Sequence, residues 1–230
     1  MLQIIYQDDY LIAINKPHGL LVHRSSIARD ATEFALQLLK QQVGKHVSPV
    51  HRLDRKTSGL LLFSLDKEVE KAMHQKFMNG EVYKEYLAIV RGFSPDYLEI
   101  DYPLTKENGT IQEAFTEFVT LKRAELNIPL GKHPTSRYSL VKAKPTTGRM
   151  HQLRKHFAHV FHPIIGDRKH GCNKQNRFFK EQWEMTTMLL HASKLQFKHP
   201  LTEEEVQITA PVQEEFQRVM KLMNWDLERD

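Results

Sequence analysis

Short apolar segments separated by polar turns open the chain and predict strands joined by tight turns. Within residues 4–22 the apolar runs alternate with residues 7–9 (QDD) and 15–19 (NKPHG), whose side chains favour turns. Residues 60–65 form an apolar run of the kind found in a strand buried on both faces. The content of Tyr, Phe, Val and Thr predicts further strands at residues 82–90, 114–121, 137–144, 194–198 and 205–209.

Three segments combine helical apolar spacing with residues that begin or end helices. Asp30 is the predicted cap of a helix over residues 31–43, and Asp66 is the predicted cap of a helix over residues 67–79. A glycine follows each of these two segments and should end it. A closing helix is expected after Pro211, because Val212, Phe216, Val219 and Met223 share one helical face.

The succession of elements predicts the fold class. No tandem repeat, low-complexity tract or Ser/Gly-rich linker divides the 230 residues. We therefore expect a single α+β domain over residues 1–230, with a large mixed, mainly antiparallel β-sheet flanked by helices.

Composition narrows the classes of protein that fit. The single cysteine, Cys172, cannot form a disulfide within the chain, which favours a reducing compartment. Asp8 and Asp9 interrupt the N-terminus before an apolar run reaches signal-peptide length, and no segment approaches the roughly 18 apolar residues of a membrane span. We expect a soluble, cytoplasmic protein. Its 33 Lys and Arg against 28 Asp and Glu give a net charge of +5, which suits a polyanionic partner.

Residues 51–59 (HRLDRKTSG) place a carboxylate between two arginines, immediately before an apolar strand. The positive charges of Arg52 and Arg55 favour the ionised form of Asp54, which could then act as a nucleophile or a base. The plain alternative is an ion pair in a solvated loop.

Residues 146–171 form the second polar constellation. On a helix, one apolar arc would contain Met150, Leu153, Phe157, Val160 and Phe161. Arg154 falls inside this arc, and a buried guanidinium needs a carboxylate partner, for which Asp54 is the best candidate. Alternatively, Arg154 lies at the core edge and its head reaches water.

Four histidines of this segment raise the question of a metal site: His151, His156, His159 and His162. They lack the i, i+4 pair with an acidic neighbour that zinc-binding helices carry, so we expect no metal. A basic surface facing RNA explains them more simply. Residues 166–167 and 169–171 resemble a tight, positively charged turn that could bind phosphate or be an ordinary loop.

In the strand predicted over residues 82–90, alternation places Tyr86 on the face of Lys84 and Ala88, opposite Tyr83. Either tyrosine could be a core residue. The functional alternative is a ring that stacks on an extruded base.

The chain resembles the RluA family of pseudouridine synthases in three blocks. They are residues 15–24 (NKPHGLLVHR), 51–64 (HRLDRKTSGLLLFS) and 147–171 (TGRMHQLRKHFAHVFHPIIGDRKHG), linked by residues 83–92 (YKEYLAIVRG). The resemblance implies an isomerase that flips uridine out of RNA, breaks the glycosidic bond and rejoins the ring through carbon 5, without a cofactor. Within the family, residues 133–141, 169–171 and 173–177 favour tRNA as substrate, at uridine 65 of the T-stem region. An N-terminal S4-like extension is not expected.

The same resemblance implies roles for individual residues. Asp54 would be catalytic, with Arg154 pairing with it and Tyr86 stacking on the target base, while Arg52 would help displace the nucleotide and Leu153 would line the pocket. Two further basic side chains would bind the substrate: Arg149, which could also be the arginine that pairs with the carboxylate, and Lys169. The expected partner is RNA and the expected state is a monomer.

Three rival functions remain at the level of the sequence. A ribosomal RNA synthase of the same family would share the catalytic blocks. A catalytically silent RNA-binding module would use the same basic surface. A zinc hydrolase built on the histidines fits the ligand geometry poorly.

Overall fold

The computed structural model describes residues 1–24 and 32–225. The chain divides into two compact units, each made of two sequence segments. Unit 1 comprises Met1–Lys84 and His191–Pro211, and unit 2 comprises Glu85–Leu190 and Val212–Asp230. The two segments of each unit are therefore separated in the sequence by residues of the other unit.

The described residues contain twelve strands and five helices. The strands are β1 (Gln3–Gln7), β2 (Leu11–Lys16), β3 (Ser48–Pro49), β4 (Ser58–Ser64), β5 (Tyr83–Arg91), β6 (Tyr97–Asp101), β7 (Leu104–Thr105), β8 (Ile111–Gln112), β9 (Phe115–Leu126), β10 (Ser136–Pro145), β11 (Leu190–Lys198) and β12 (Glu205–Thr209). The helices are α1 (Ala35–Val43), α2 (Lys67–Asn79), α3 (Gln152–His159), α4 (Asn173–Trp183) and α5 (Glu214–Leu222). The strands form mixed and antiparallel sheets flanked by helices, which confirms the predicted fold class.

In unit 1 the strands follow the order β1, β2, β4, β11 and β12, and β3 pairs with β4. Strands β4 and β11 are parallel, whereas the other pairs of this unit are antiparallel. Strand β4 is buried along its whole length, as the apolar run at residues 60–65 predicted, and so is β2.

Helix α2 matches its predicted bounds, because its start and end are set by local signals. The Asp66 carboxylate accepts hydrogen bonds from the Glu68 and Val69 amides, and Gly80 ends the helix with φ 76°. The predicted start of α1 was wrong. It begins at Ala35 because the first amides donate to the carbonyls of Leu21 and Val22, and the predicted cap Asp30 lies outside the described residues.

In unit 2 the strand order is β5, β10, β9 and β6, all antiparallel, and β7 pairs with β8 in a separate hairpin. Alternate residues of β5 enter two apolar cores. Leu87 and Ile89 pack in the core that also contains residues of α4 and α5. Ala88 and Val90 pack in the core that contains residues of α3. This second core supports the polar residues considered below.

Candidate active site

Asp54 lies half-buried in a turn of unit 1, directly before β4. Its carbonyl accepts a hydrogen bond from the Thr57 amide at 3.1 Å. The turn is joined to the loop after β2 twice: the Gly19 amide donates to the Arg55 carbonyl at 2.9 Å, and Arg55 Nε donates to the Gly19 carbonyl at 3.1 Å. These bonds fix the backbone that carries the carboxylate.

Lys16, the last residue of β2, is fully buried beneath this turn. Its ammonium group donates hydrogen bonds to the carbonyls of Pro17, Leu20 and Arg55 at 3.0, 2.8 and 3.2 Å. Burial lowers the pKa of Lys16 to about 7, although the negative charge of Asp54 favours its protonated form. Lys16 therefore lies within electrostatic range of the candidate catalytic carboxylate.

The residues that follow the turn are anchored to β11 within unit 1. Ser58 Oγ lies 2.9 Å from Nδ1 of His191, and Nε2 of His191 lies 3.2 Å from the Ala210 carbonyl oxygen. Gly59 approaches Ala192 so closely that a Cβ atom would lie 2.2 Å from the Ala192 carbonyl oxygen. Gly59 also has φ 102°, so only glycine fits this position without strain.

In unit 2, the start of α3 is organised by the buried side chain of Gln152. Its oxygen accepts hydrogen bonds from the Thr147 hydroxyl at 2.7 Å and the Arg149 amide at 3.0 Å. Its nitrogen donates to the Phe115 carbonyl at 2.9 Å and to the Thr116 hydroxyl at 3.1 Å. Arg149 is held in turn, because its Nε donates to the Glu113 carbonyl at 2.9 Å.

Arg154 is buried on α3 and paired with Asp167. Arg154 Nε donates to Oδ2 at 2.7 Å and Nη2 donates to Oδ1 at 2.8 Å, a bidentate arrangement. Asp167 Oδ1 also accepts from the amides of Lys169 and His170 at 2.9 and 3.1 Å. Burial alone would raise the pKa of the Asp167 carboxyl, but the hydrogen bonds from Arg154 and from these amides outweigh it and hold the pKa below its usual value.

The structure therefore decides part of the question about Arg154. The guanidinium is buried and has a carboxylate partner, so the alternative in which it reaches water at the core edge was wrong. The carboxylate observed is Asp167, which the sequence had placed only in a turn. Pairing with Asp54 stays a prediction.

His151 precedes α3 in a left-handed conformation, with φ 56°. Its Nδ1 lies 2.9 Å from Nε2 of His170, beside the buried ion pair. Burial lowers the pKa of His170 to about 4, and the positive charge of Arg154 adds to this effect against the attraction of Asp167. His170 is therefore a neutral ring at neutral pH, and one hydrogen bond joins the two imidazoles.

Two of the predicted site residues belong to the second core of unit 2. Leu153 is 6% exposed within this core, and the half-buried ring of Tyr86 packs against the same cluster. Tyr86 lies on the face of Ala88, as the alternation predicted. Lys169 is exposed in the loop after Asp167 and Arg52 is exposed in unit 1, where each can meet a solvent-borne ligand.

The chain matches the family model for RNA pseudouridylate synthase over residues 10–159. Named relatives extend the match over nearly the whole chain. The tRNA pseudouridine synthase C of Pasteurella multocida is 45% identical, with 98% of both chains covered. The protein of the same name from Vibrio vulnificus is 44% identical, covering 98% of this chain and 96% of its own. The chain belongs to the RNA pseudouridylate synthase family. It is thus an isomerase that acts on RNA.

Solved structures show the same fold at lower identity. Human RNA Pseudouridylate Synthase Domain Containing 4 has a TM-score of 0.74 and 23% identity, covering 99% of this chain and 95% of its own. Human RNA Pseudouridylate Synthase Domain Containing 1 has a TM-score of 0.71 and 21% identity, covering 100% of this chain and 97% of its own. The pseudouridylate synthase fold is therefore shared across these proteins.

Some predictions made for the segment around α3 of this synthase were wrong. Met150 and Phe161 do not belong to an apolar arc, since they are 46% and 79% exposed. Helix α3 is shorter than the arc requires, because His151 before its start and Phe161 after its end both adopt left-handed conformations. Gln152, predicted outside the arc, is buried and hydrogen-bonded.

The histidines of the synthase do not form one RNA-facing surface. His156 is fully buried, with Nδ1 3.0 Å from the Thr116 hydroxyl and Nε2 3.0 Å from the Tyr102 carbonyl oxygen. Burial lowers its pKa, so it is a neutral core residue. Among residues 1–24 and 32–225, no three His, Cys, Asp or Glu side chains are grouped to hold a metal ion.

Two site residues of the synthase were missed in the sequence. Lys16 was treated only as part of a turn, although a lysine ending the apolar strand LIAINK was a usable signal. Asp167 carried no such signal, because its partner lies on another element. In the part of the chain that the structure describes, no helix is long and apolar enough to span a membrane.

Proposed function

We propose that the chain converts uridine to pseudouridine in tRNA, at uridine 65 of the T-stem region. Relatives named tRNA pseudouridine synthase C support the substrate class, because they match this chain over nearly its full length. The position follows from the same resemblance. Residues 133–141, which favour the tRNA-acting branch in sequence, include the start of β10.

Asp54 is the proposed catalytic carboxylate. The observation that carries this assignment is the geometry of the turn. Hydrogen bonds to the loop after β2 hold the backbone around the half-buried Asp54, and the buried Lys16 lies within electrostatic range of its carboxylate. The carboxylate starts the reaction by attacking the sugar or the uracil ring, or by taking a proton from the ribose. The N1–C1′ bond then breaks and a C5–C1′ bond forms, the proton on carbon 5 leaves for solvent while N1 takes up a proton, and the carboxylate is released unchanged. Substrate and product are isomers, so no cofactor is consumed.

Arg154 is proposed to pair with Asp54. The bidentate hydrogen bonds that Arg154 donates to Asp167 support this role, because they hold the guanidinium in one orientation inside unit 2. Arg149 is the alternative partner, although its Nε is bonded to the Glu113 carbonyl.

The remaining residues are proposed to bind the flipped nucleotide. Tyr86 stacks on the uracil and Leu153 lines the pocket, which fits their places in one apolar core. Arg52 enters the space that the nucleotide leaves. Lys169 binds phosphate, as its exposed position in a basic loop allows.

Both units are proposed to serve one catalytic domain, in a monomer located in the cytoplasm. The family model spans residues 10–159 and so includes parts of both units, which supports a single catalytic domain. Size-exclusion chromatography with light scattering measures the oligomeric state directly.

The decisive experiment measures tritium release from carbon-5-labelled uridine in unmodified tRNA and in ribosomal RNA. The wild type is compared with Asp54→Asn and with the matched control Asp9→Asn, which makes the same exchange at an exposed position. We expect release from tRNA with the wild type and Asp9→Asn, and none with Asp54→Asn. Release from ribosomal RNA alone would transfer the function to that substrate. Binding without release from any RNA would identify a silent RNA-binding module.

Position and proton transfer are tested on the same tRNA. Carbodiimide labelling followed by reverse transcription should stop at uridine 65 and should be lost when that base pair is exchanged. A second hypothesis is that the Tyr86 hydroxyl helps remove the carbon-5 proton. Tyr86→Phe should then slow tritium release while keeping tRNA affinity, and full turnover by the folded variant would refute this role.

A further inference from the structure

Phe161 occupies a position where a phenylalanine is unfavourable for the free protein. Helix α3 ends in a Schellman motif: the Phe161 amide donates to the Ala158 carbonyl at 3.1 Å, and the His162 amide donates to the Phe157 carbonyl at 2.9 Å. This motif places Phe161 in the left-handed region, with φ 63°. Glycine or asparagine is the usual residue there, because a bulky side chain is strained.

Burial of the ring does not offset this strain. The Phe161 side chain is 79% exposed, so it gains little from packing in unit 2. A residue that breaks a local rule without a structural gain marks a functional position more often than a structural one. An exposed aromatic ring offsets the backbone strain only when a binding partner covers it.

The surroundings of Phe161 indicate what could cover it. Arg91 Nη2 donates to the Phe161 carbonyl at 3.5 Å, and the Arg91 carbonyl oxygen lies 2.9 Å from Nδ1 of His162. Phe93, two residues after Arg91, is 40% exposed, and the Arg137 guanidinium lies over its ring at 5.0 Å from the centroid. Residues Arg91, Phe93, Arg137, Phe161 and His162 are called the Phe161 patch.

The chemistry of the Phe161 patch fits an unpaired nucleotide. Exposed rings beside arginines are the pattern by which proteins hold bases by stacking while cations meet the phosphates. Glu125 Oε1 accepts a hydrogen bond from Arg137 Nε at 3.1 Å, whereas Arg91 interacts with the Cys172 thiol and with the Phe161 carbonyl. A paired duplex hides its base faces, so Phe161 could not stack on it.

We propose that Phe161 stacks on an unpaired base of the RNA substrate, outside the pocket of the target uridine, and thereby contributes to substrate affinity. The inference rests on the proposed function for the identity of the RNA. It adds a second contact with a base, distinct from that of Tyr86. Phe161 is a binding residue here and takes no part in bond making.

The test uses substitutions with opposite expectations for stability and for binding. Phe161→Asn places a residue suited to the left-handed conformation, so the melting temperature should be unchanged or higher. Its affinity for unmodified tRNA, measured by fluorescence anisotropy, should fall roughly tenfold, the effect of one lost base–aromatic stack. In turnover the loss should appear in KM, with kcat retained. Leu201→Asn, at another apolar side chain that is 54% exposed, should leave tRNA affinity unchanged.

Phe161→Trp tests the stacking itself. It should keep tRNA affinity within about twofold, and its added indole fluorescence should be quenched by tRNA more than that of the wild type. Affinity for a blunt, fully paired RNA duplex should be the same for Phe161→Asn and the wild type. A duplex affinity that falls as much as the tRNA affinity would overturn the proposal in favour of a contact with the backbone.

The outcomes separate this inference from the proposed function. A wild type that releases tritium from tRNA while Phe161→Asn binds tRNA normally would refute the stacking role alone. A wild type inactive on tRNA, with RNA binding still weakened by Phe161→Asn, would refute the proposed function and keep the stacking surface. A lower melting temperature in Phe161→Asn would show that the ring packs in the free protein and would remove the premise.

Discussion

Arg154 and Asp167 form a bidentate ion pair in which the side chains are only 8% and 1% exposed, respectively. The loop from Gly166 to Gly171 folds around this carboxylate, which also binds the backbone amides of Lys169 and His170. A Cβ atom at Gly171 would lie 2.0 Å from the Asp167 carbonyl oxygen, so the loop is as tight as its backbone allows. The ion pair thereby fixes both the guanidinium and the loop that carries Lys169.

Removing the charge of Asp167 should be costly. Asp167→Asn leaves a buried guanidinium without its carboxylate, and we expect the free energy of unfolding to fall by about 3 kcal/mol. Urea denaturation measures the loss. The control Asp96→Asn breaks the ion pair between Arg123 and Asp96, whose side chains are 37% and 90% exposed, respectively. This control should lower the free energy of unfolding by less than about 1 kcal/mol. Equal losses in the two variants would contradict the structural role assigned to Asp167.

Lys16 should make stability rise with pH above neutrality. Its pKa is lowered to about 7 in the folded protein, from an ordinary value of 10.5, mainly by burial. Between these pH values the unfolded chain binds a proton that the folded chain does not. The contribution of Lys16 to the free energy of unfolding therefore grows by up to about 1.4 kcal/mol per pH unit.

The comparison is made by urea denaturation from pH 6 to pH 9 with Lys16→Met. Wild-type stability should rise over this range relative to the variant, which lacks the titrating group. If Lys16→Met does not fold, Lys16→Arg provides the comparison, because arginine keeps its charge throughout. Parallel stability curves would show that Lys16 titrates normally.

His191 should contribute to acid destabilisation. Burial lowers its pKa to about 4, although the hydrogen bond to the Ala210 carbonyl opposes this shift. As pH falls from 6.5 towards 4, the unfolded chain gains a proton that the folded chain excludes, and stability is lost. We expect His191→Gln to flatten the loss measured by denaturation between pH 6.5 and pH 4.5, with the exposed His46→Gln as control. The same slope in all three proteins would count against a buried neutral His191.

Gly59 should tolerate no side chain. In Gly59→Ala the added carbon would meet the Ala192 backbone where β4 and β11 run parallel, and we expect a loss above about 3 kcal/mol or failure to fold. Gly109→Ala is the matched control, since φ is 84° there and no atom lies within 4 Å of the added carbon. It should cost about 1 kcal/mol from backbone strain alone. Similar melting temperatures for the two variants would argue against the close approach.

Local signals explain which elements could be predicted from sequence. Helix α2 was predicted with its exact bounds because Asp66 and Gly80 act within one turn of its ends. Helix α1 begins later than predicted because carbonyls from the loop after β2 receive its first amides. Helix α4 was missed, since its N-cap Cys172 makes no side-chain capping bond, as were the short strands β3, β6, β7 and β8.

The same distinction between local signals and distant contacts applies to the candidate site. Asp54 and Arg154 stood out because charge in an apolar context is visible in the sequence. Their surroundings were not visible, since the carbonyl acceptors of Lys16 and the carboxylate partner of Arg154 depend on chain contacts that no local pattern records. His156 was misjudged for this reason, because its two partners belong to other segments of unit 2.

The interleaved composition of unit 1 has a consequence for biosynthesis. Strand β4 is buried along all seven residues, yet its parallel neighbour β11 leaves the ribosome only after residues 85–190 have been made. Until then a nascent chain carries an apolar strand whose hydrogen-bonding edge is open at Ser58 and Gly59, the kind of surface that other chains or chaperones capture. The part of the protein that holds Asp54 is thus translated first but completed late.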